Sequence, residues 1–250
     1  MRKLLLGLAA ASAIAFPALA DEEIPIAHQN WPWLGVFGQY DMAAVRRGYQ
    51  VYHDVCSNCH SLKLVAYRNL AEIGLSDDDV AKFAAEKKVT DGPNDAGDMF
   101  ERPGKPSDMF VPPFPNDNAA RAANNGALPP DLSLIVKSRE GGPDYIHAIL
   151  TGFSDPPAGF KLTSGMNYNK AFPGHQIAMP PPLADGTVTF ADGTKATLDE
   201  EARDVVSFLN WAAEPELNVR HNLGIKVMIF AGILTLLAYL LKRKIWADVH

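Results

Sequence analysis

Cys56-Ser57-Asn58-Cys59-His60 is the stretch whose residue types and spacing carry the most chemistry in this 250-residue chain. The pattern C-x-x-C-H reads as covalent attachment of a c-type haem. Two thiols three positions apart share one helical turn, so each can add to one vinyl group of a porphyrin. The histidine directly after the second thiol then stands as an axial ligand to the iron. Three other chemistries use paired cysteines: a disulfide, a thioredoxin-like redox pair and half of a zinc site. The chain has only two cysteines, so a four-thiolate zinc site cannot be completed. A thioredoxin-type pair sits at a strand-to-helix turn of a βαβ pattern, and no such pattern surrounds these residues.

An iron that only carries electrons needs a second axial ligand, and methionine in that place raises its potential. The sequence offers Met42, Met99, Met109, Met166 and Met179, with His28, His53, His147, His175 and His221. Met179 lies in Ile177-Ala178-Met179-Pro180-Pro181-Pro182, a proline-stiffened loop shortly before the last helix of the domain. Such a loop can hold a thioether against iron without a helix to carry it. His175, four residues earlier, is the main rival.

These side chains need elements to position them. Residues 41–60 read as a helix with Asp41 as its cap and Cys56 arriving at its end. Ala44, Gly48, Val51, Tyr52 and Val55 fall at helical spacing. Gly48 lacks a side chain, so another helix can approach closely there. Residues 197–214 read as a second helix, with Thr197 and Glu200 as a capping box and Pro215 helping to end it. Its stripe is Ala202, Val205, Val206, Leu209, Ala212 and Ala213, with Phe208 and Trp211 beside it. A first helix with a small residue crossing a last helix with aromatics is the frame of class I cytochromes c. Between them, residues 103–182 hold 14 of the 19 prolines, so this stretch reads as long loops with short helices, wrapped around a cofactor. Residues 144–151 read as one short helix, and residues 187–197, with Asp192-Gly193, as a small hairpin.

The two ends read as export and anchoring signals. Arg2 and Lys3, an apolar run over 4–15 and Ala18-Leu19-Ala20 form a secretory signal cleaved after Ala20. Residues 223–241 form the other long apolar run, with Lys226 as its one charge. Nineteen residues rise about 28 Å, enough to cross a hydrocarbon core. Lys242, Arg243 and Lys244 follow at once, which puts the C-terminus in the cytoplasm. The expected organisation is therefore a signal peptide at 1–20, a periplasmic haem domain at 21–217, an anchor helix at 218–242 and a cytoplasmic tail at 243–250.

Residues 21–217 carry 28 acidic and 16 basic residues, a formal charge of −12. That sign disfavours nucleic acid. It gives a solvated surface and fits a docking face for a basic partner, since complementary fields speed encounter. Asp77-Asp78-Asp79 is one such acidic cluster.

Several longer stretches carry a family pattern. They include Arg102-Pro103-Gly104-Lys105-Pro106-Ser107-Asp108, Trp211-Ala212-Ala213-Glu214-Pro215-Glu216, and the runs 46–52, 119–133, 141–145, 150–153, 168–169 and 172–174. From about Trp31 to Trp246 the chain resembles the cytochrome c1 family, of the alphaproteobacterial and mitochondrial type. The resemblance implies a mainly α, class I cytochrome c-like haem domain with long Pro/Gly-rich loops and one C-terminal transmembrane helix. It implies one haem c held by Cys56 and Cys59, with His60 and Met179 as axial ligands and His175 structural. It places Arg139 and Tyr145 near the haem propionates and the Pro130 carbonyl near the ring nitrogen of His60. Some relatives carry an extra disulfide in this domain. Here no cysteine remains for one, so packing and proline must hold Met179.

The resemblance also implies a role and partners. The chain would be a subunit of ubiquinol–cytochrome c reductase, beside cytochrome b, taking electrons from a Rieske iron–sulfur subunit and giving them to soluble cytochrome c. It would sit in the bacterial inner membrane within a dimeric complex. The chain itself would be an electron carrier with no substrate-turnover site. The alternatives are a c-type subunit of a haem–copper oxidase, an independent anchored carrier, or an enzyme or sensor with an open sixth position.

Overall fold

A computed structural model describes residues 24–248. The signal peptide expected at 1–20 lies outside the described residues. The helices are α1 (Met42–Asp54), α2 (Asp77–Ala85), α3 (Asp117–Ala123), α4 (Ile135–Ser138), α5 (Gly142–Thr151), α6 (Leu198–Ala213) and α7 (Leu217–Ile245). Two small antiparallel pairs accompany them: β1 (Lys88–Asp91) with β2 (Phe100–Pro103), and β3 (Asn167–Tyr168) with β4 (Gln176–Ile177). The architecture is mainly α, with long irregular connections.

The core is centred on the crossing of α1 and α6. Val45, Val51, Tyr52, Ala202, Val205, Val206, Phe208 and Trp211 are buried between these helices and their neighbours. Gly48 is the closest point. A Cβ there would overlap the Asp204 carbonyl and stand 2.9 Å from Phe208 Cβ. One ion-pair cluster ties the same two helices. Arg47 Nε donates to Asp204 Oδ2 at 2.6 Å and Nη2 to Oδ1 at 2.9 Å, while Nη2 also reaches Glu200 and Nη1 reaches Asp192. Burial pushes the Asp204 carboxyl up to about 6, and the Arg47 hydrogen bonds and charge oppose that rise.

Three expectations change in detail. Asp41 caps α1 as expected, accepting from Ala43 N and Ala44 N. The helix stops at Asp54 rather than running to 60. Ser57 Oγ donates to His53 O and Asn58 Nδ2 to Asp54 O and Val55 O, so side chains take the last carbonyls and the chain tightens into a 3₁₀ turn, Cys56–Asn58. Thr197 caps α6 through Glu200 N, but the capping box is half formed because the Glu200 carboxylate turns to Arg47. Residues 187–197 form turns without strands. The Val188 N–H that a ladder would use is taken by Glu201 Oε1 at 3.0 Å, and Phe190 buries itself instead.

A second polar knot holds the outer loops. Arg102 donates from Nη1 and Nη2 to both oxygens of Asp108 at 2.6 and 2.9 Å, and its Nε pairs with Asp91. Lys105 N adds a bond at 2.7 Å to Asp108. The Arg102 hydrogen bonds, followed by the Lys105 bond, hold the Asp108 carboxyl down at about 2. A carboxylate depressed in the folded state stabilises the fold above its unfolded pKa and loses that contribution as pH falls through the folded one. The urea midpoint is therefore expected to fall between about pH 4 and pH 2. In Asp108→Asn the midpoint is expected to be lower at pH 6 and flatter across that window.

Helix α7 has 29 residues, about 43 Å at 1.5 Å each. It is the one helix among the described residues long and apolar enough to cross a membrane, and its apolar window is not buried by the rest of the chain. It overruns the expected 218–242 at both ends. Leu217 at its start is buried in the domain core, so helix and domain share that residue.

Candidate functional site

The site is built where α1 ends. The 3₁₀ turn places Cys56 and Cys59 one turn apart as free thiols, Cys56 half-buried and Cys59 exposed. Cys59 N and His60 N both donate to Cys56 O, at 3.1 and 2.9 Å, so one carbonyl gathers the pentapeptide. Burial pushes the Cys56 thiol up to about 12, and the adjacent Cys59 adds to the rise. A redox pair of the thioredoxin kind needs a thiolate of lowered pKa, and this environment works the other way.

His60 Nδ1 lies 2.8 Å from Pro130 O. A carbonyl only accepts, so Nδ1 carries the proton and the Nε2 lone pair is left available. Burial lowers the His60 pKa, against the Pro130 bond and the Asp131 charge, and so favours the neutral imidazole. A metal-ligating histidine ordinarily has its second nitrogen fixed in this way.

The loop that supplies Pro130 is itself fastened to the pentapeptide by Asp131. One Asp131 oxygen accepts from Ser61 Oγ at 2.7 Å and Lys63 N at 2.9 Å, and the other from Ser133 N at 2.9 Å. Leu132 N bonds Ser61 O at 2.9 Å, and Ser133 Oγ accepts from Leu64 N at 3.1 Å. Burial alone would raise the Asp131 pKa; the bonds from Ser133, Lys63 and Ser61 outweigh it and hold the carboxyl below its usual range. Sequence reading missed Ser61, Asp131 and Ser133. Asp131-Leu132-Ser133 has the spacing of a side chain capping the backbone two residues on, which was the available signal. Asp131→Ala removes three accepted bonds at a partly buried place. A loss of about 2–3 kcal/mol in unfolding free energy is expected, from urea titration, with a broadened environment of the His60 ring in NMR.

Met179 is half-buried, and β3 and β4 hold its loop. Asn167 pairs with Ile177 and Tyr168 with Gln176, and Asn167 Nδ2 donates to Met179 O at 3.3 Å. Thus a two-residue ladder and one amide assist the prolines in fixing this loop. A cavity of about 520 Å³ flanks it, lined by Leu150, Phe153, Leu162, Met166, Tyr168 and Leu183 among others; neither cysteine nor His60 reaches it.

The rival ligands stand in varied settings. His175 packs beside Tyr168 and Phe160, with Nδ1 3.2 Å from Asn169 O. His53 uses both ring nitrogens, on Asp54 and Glu86. His28, His147 and His221 pair with Asp144, Asp199 and Gly38 O. Met99, Met109 and Met166 are exposed.

Arg139 is exposed, and its guanidinium bonds only Ser138 O and Ser138 Oγ among the described residues. Tyr145 stands on α5. Burial raises its pKa and the charge of Arg139 works against that, so the two side chains feel each other across the α4–α5 turn. Among the described residues, two thiols, an imidazole whose Nε2 makes no hydrogen bond, a restrained thioether and a guanidinium without a carboxylate partner fit a haem.

Comparison with known proteins adds an independent line. The Cytochrome C1 family model matches residues 31–249. The chain is 50% identical over 254 residues to cytochrome c1 of Rhodospirillum rubrum, covering 95% of this chain and 93% of that one. It is 49% identical over 229 residues to a Schizosaccharomyces pombe protein named "Cytochrome c1, heme protein, mitochondrial", covering 92% and 75%. It is 49% identical over 243 residues to a longer protein of Bradyrhizobium diazoefficiens named "Cytochrome b/c1", covering 88% of this chain and 35% of that one. The helical fold, the pentapeptide with its Pro130 support and these matches agree: the chain belongs to the cytochrome c1 family.

Proposed function

We propose that the chain is the c-type haem subunit of a quinol–cytochrome c oxidoreductase, an electron carrier that receives electrons from a Rieske iron–sulfur subunit and delivers them to a soluble cytochrome c. The observation that carries this reading is the His60 Nδ1–Pro130 O bond directly after two free thiols. When bound, a haem supplies reversible one-electron iron chemistry. The chain's own residues have four tasks. Cys56 and Cys59 would hold one haem by thioether bonds, and His60 and Met179 would ligate its iron. Pro130 O fixes the tautomer and plane of His60. Arg139 and Tyr145 would pair the propionates.

The rest of the chain supports the role by placement. Residues 21–217 form the periplasmic domain, α7 is the anchor in the inner membrane, and the basic run 242–244 in its last turn marks the cytoplasmic end. The domain charge of −12 attracts a basic acceptor such as a soluble cytochrome c. Cytochrome b is the membrane partner, a reading supported by the relative whose name joins b and c1 in one longer protein. The complex is dimeric by family resemblance.

Covalent attachment is tested by denaturing the purified protein and staining for haem peroxidase activity. The stain is expected to travel with the chain and to vanish in the Cys56→Ser, Cys59→Ser double variant. Stain that leaves the wild-type chain on denaturation would contradict the assignment of both cysteines.

A further inference from the structure

We propose that the loop over residues 34–37 is a second membrane contact, lying in the interfacial layer of the bilayer that α7 crosses. The inference rests on the reading of α7 as the anchor. Leu34, Val36 and Phe37 are 59%, 71% and 78% exposed. Nothing between Trp31 and Tyr40 is charged. The exposure belongs to an ordered turn. Gln39 N bonds Pro32 O at 3.0 Å, Gly38 N bonds Gly35 O at 3.2 Å, and Gly35 takes the positive φ of +81° that the reversal requires. Trp31, Trp33 and Tyr40 bury the base of the loop, with the two tryptophans stacked at 4.8 Å.

The loop is fastened to the top of α7 by three bonds. Tyr40 N donates to Asn218 Oδ1 at 2.9 Å, His221 Nδ1 lies 2.6 Å from Gly38 O, and Gln39 Nε2 donates to Asn222 Oδ1 at 3.1 Å. Tyr40 thus meets residue 218, while Gly38 and Gln39 meet residues 221 and 222. The two residues before Tyr40 thus meet the helix about 4.5–6 Å further along its axis. Phe37, next to Gly38, stands close to the level of residue 221, two residues before the apolar run of 223–241 begins. Lys226 stands in the first turn of that run, where a lysine extends its ammonium to lipid phosphates. An uncharged, aromatic-rich segment beside a snorkelling lysine has the composition of a membrane–water interface. The occupant is lipid at the boundary of headgroups and acyl chains. The loop would fix the tilt of the domain over the membrane, because two points of contact replace one.

The test uses the full haem-loaded chain in vesicles of phosphatidylcholine and phosphatidylglycerol. Val36→Cys and Phe37→Cys are each spin-labelled, with Leu234→Cys in α7 and the exposed Lys161→Cys as references and the parent chain as background. Collision with oxygen, which concentrates in lipid, is compared with collision with a water-soluble nickel complex. Positions 36 and 37 are expected to favour oxygen severalfold over Lys161→Cys, approaching Leu234→Cys. Labels at 36 and 37 that favour nickel, with Leu234→Cys favouring oxygen, would overturn the loop while sparing the anchor. Labels shielded from both reagents would mean that protein covers the loop, which also overturns it. If Leu234→Cys itself favours nickel, the anchor reading fails and takes the loop with it.

Discussion

Met179→Leu is expected to lower the midpoint potential on the order of 0.2 V, a fraction of the roughly 0.8 V that axial ligation spans in haem proteins. The thioether is the ligand that raises the potential, and leucine has no lone pair to replace it. Leucine nearly conserves the volume, so the fold should lose less than about 1.5 kcal/mol. Covalent attachment should survive, since Cys56, Cys59, His60 and the Pro130 bond are untouched. The reduced variant should bind carbon monoxide, which the parent should not. A redox titration and a carbon monoxide difference spectrum read both effects. An unchanged potential without carbon monoxide binding would remove Met179 from the iron and reopen His175, whose Nδ1 lies near Asn169 O but whose Nε2 has no hydrogen bond among the described residues.

Gly48→Val should be the most damaging single change to the fold. Alanine in a helix interior is ordinarily favoured over glycine by about 1 kcal/mol. Here the new methyl would overlap the Asp204 carbonyl, which belongs to helix backbone and cannot rotate away. Overpacking of this kind costs about 1–3 kcal/mol, so the contact outweighs the propensity even for Gly48→Ala. Valine adds two methyls toward Phe208 Cβ and should exceed that range. The consequence reaches the site, because α1 runs into the Cys56 turn and its separation from α6 sets where Cys56 stands. Denaturant unfolding and the yield of haem-stained protein are both expected to fall in the order Gly48, Gly48→Ala, Gly48→Val. A valine variant as stable as the parent would mean that the crossing at Gly48 is looser than described.

Much of this arrangement was legible from residue types. The pentapeptide, the cap at Asp41, the small residue at Gly48, the cap at Thr197 and the apolar run of 223–241 are local signals whose physics depends on neighbours in sequence. What was not legible depends on partners far along the chain. The end of α1 at Asp54 follows from Ser57 and Asn58 taking helix carbonyls, a competition that periodicity does not reveal. The expected hairpin over 187–197 fails because Glu201 takes the Val188 N–H from another element. Glu201 and Asp204 are buried in a helix whose apolar stripe gives no hint of them, and Asp204 is tolerated only through Arg47, 157 residues away. Asp131 and Asn167 brace the His60 and Met179 segments through contacts 70 and 12 residues distant. The acidic run Asp77-Asp78-Asp79, read as surface charge, fills the first turn of α2, where it favours the helix dipole. That local role leaves its part in docking to the salt dependence of cytochrome c reduction in a triple Asn variant.

The proposed role is that of an electron carrier, the c-type subunit of a quinol-oxidising complex. The most direct measurement is a redox difference spectrum of the tagged chain purified from its native membranes in mild detergent, taken before and after adding quinol. A c-type band accompanied by b-type bands is expected, with quinol reducing both. A c-type band alone, or one accompanied by copper and an oxidase haem, would contradict it and make the chain an independent anchored carrier or an oxidase subunit.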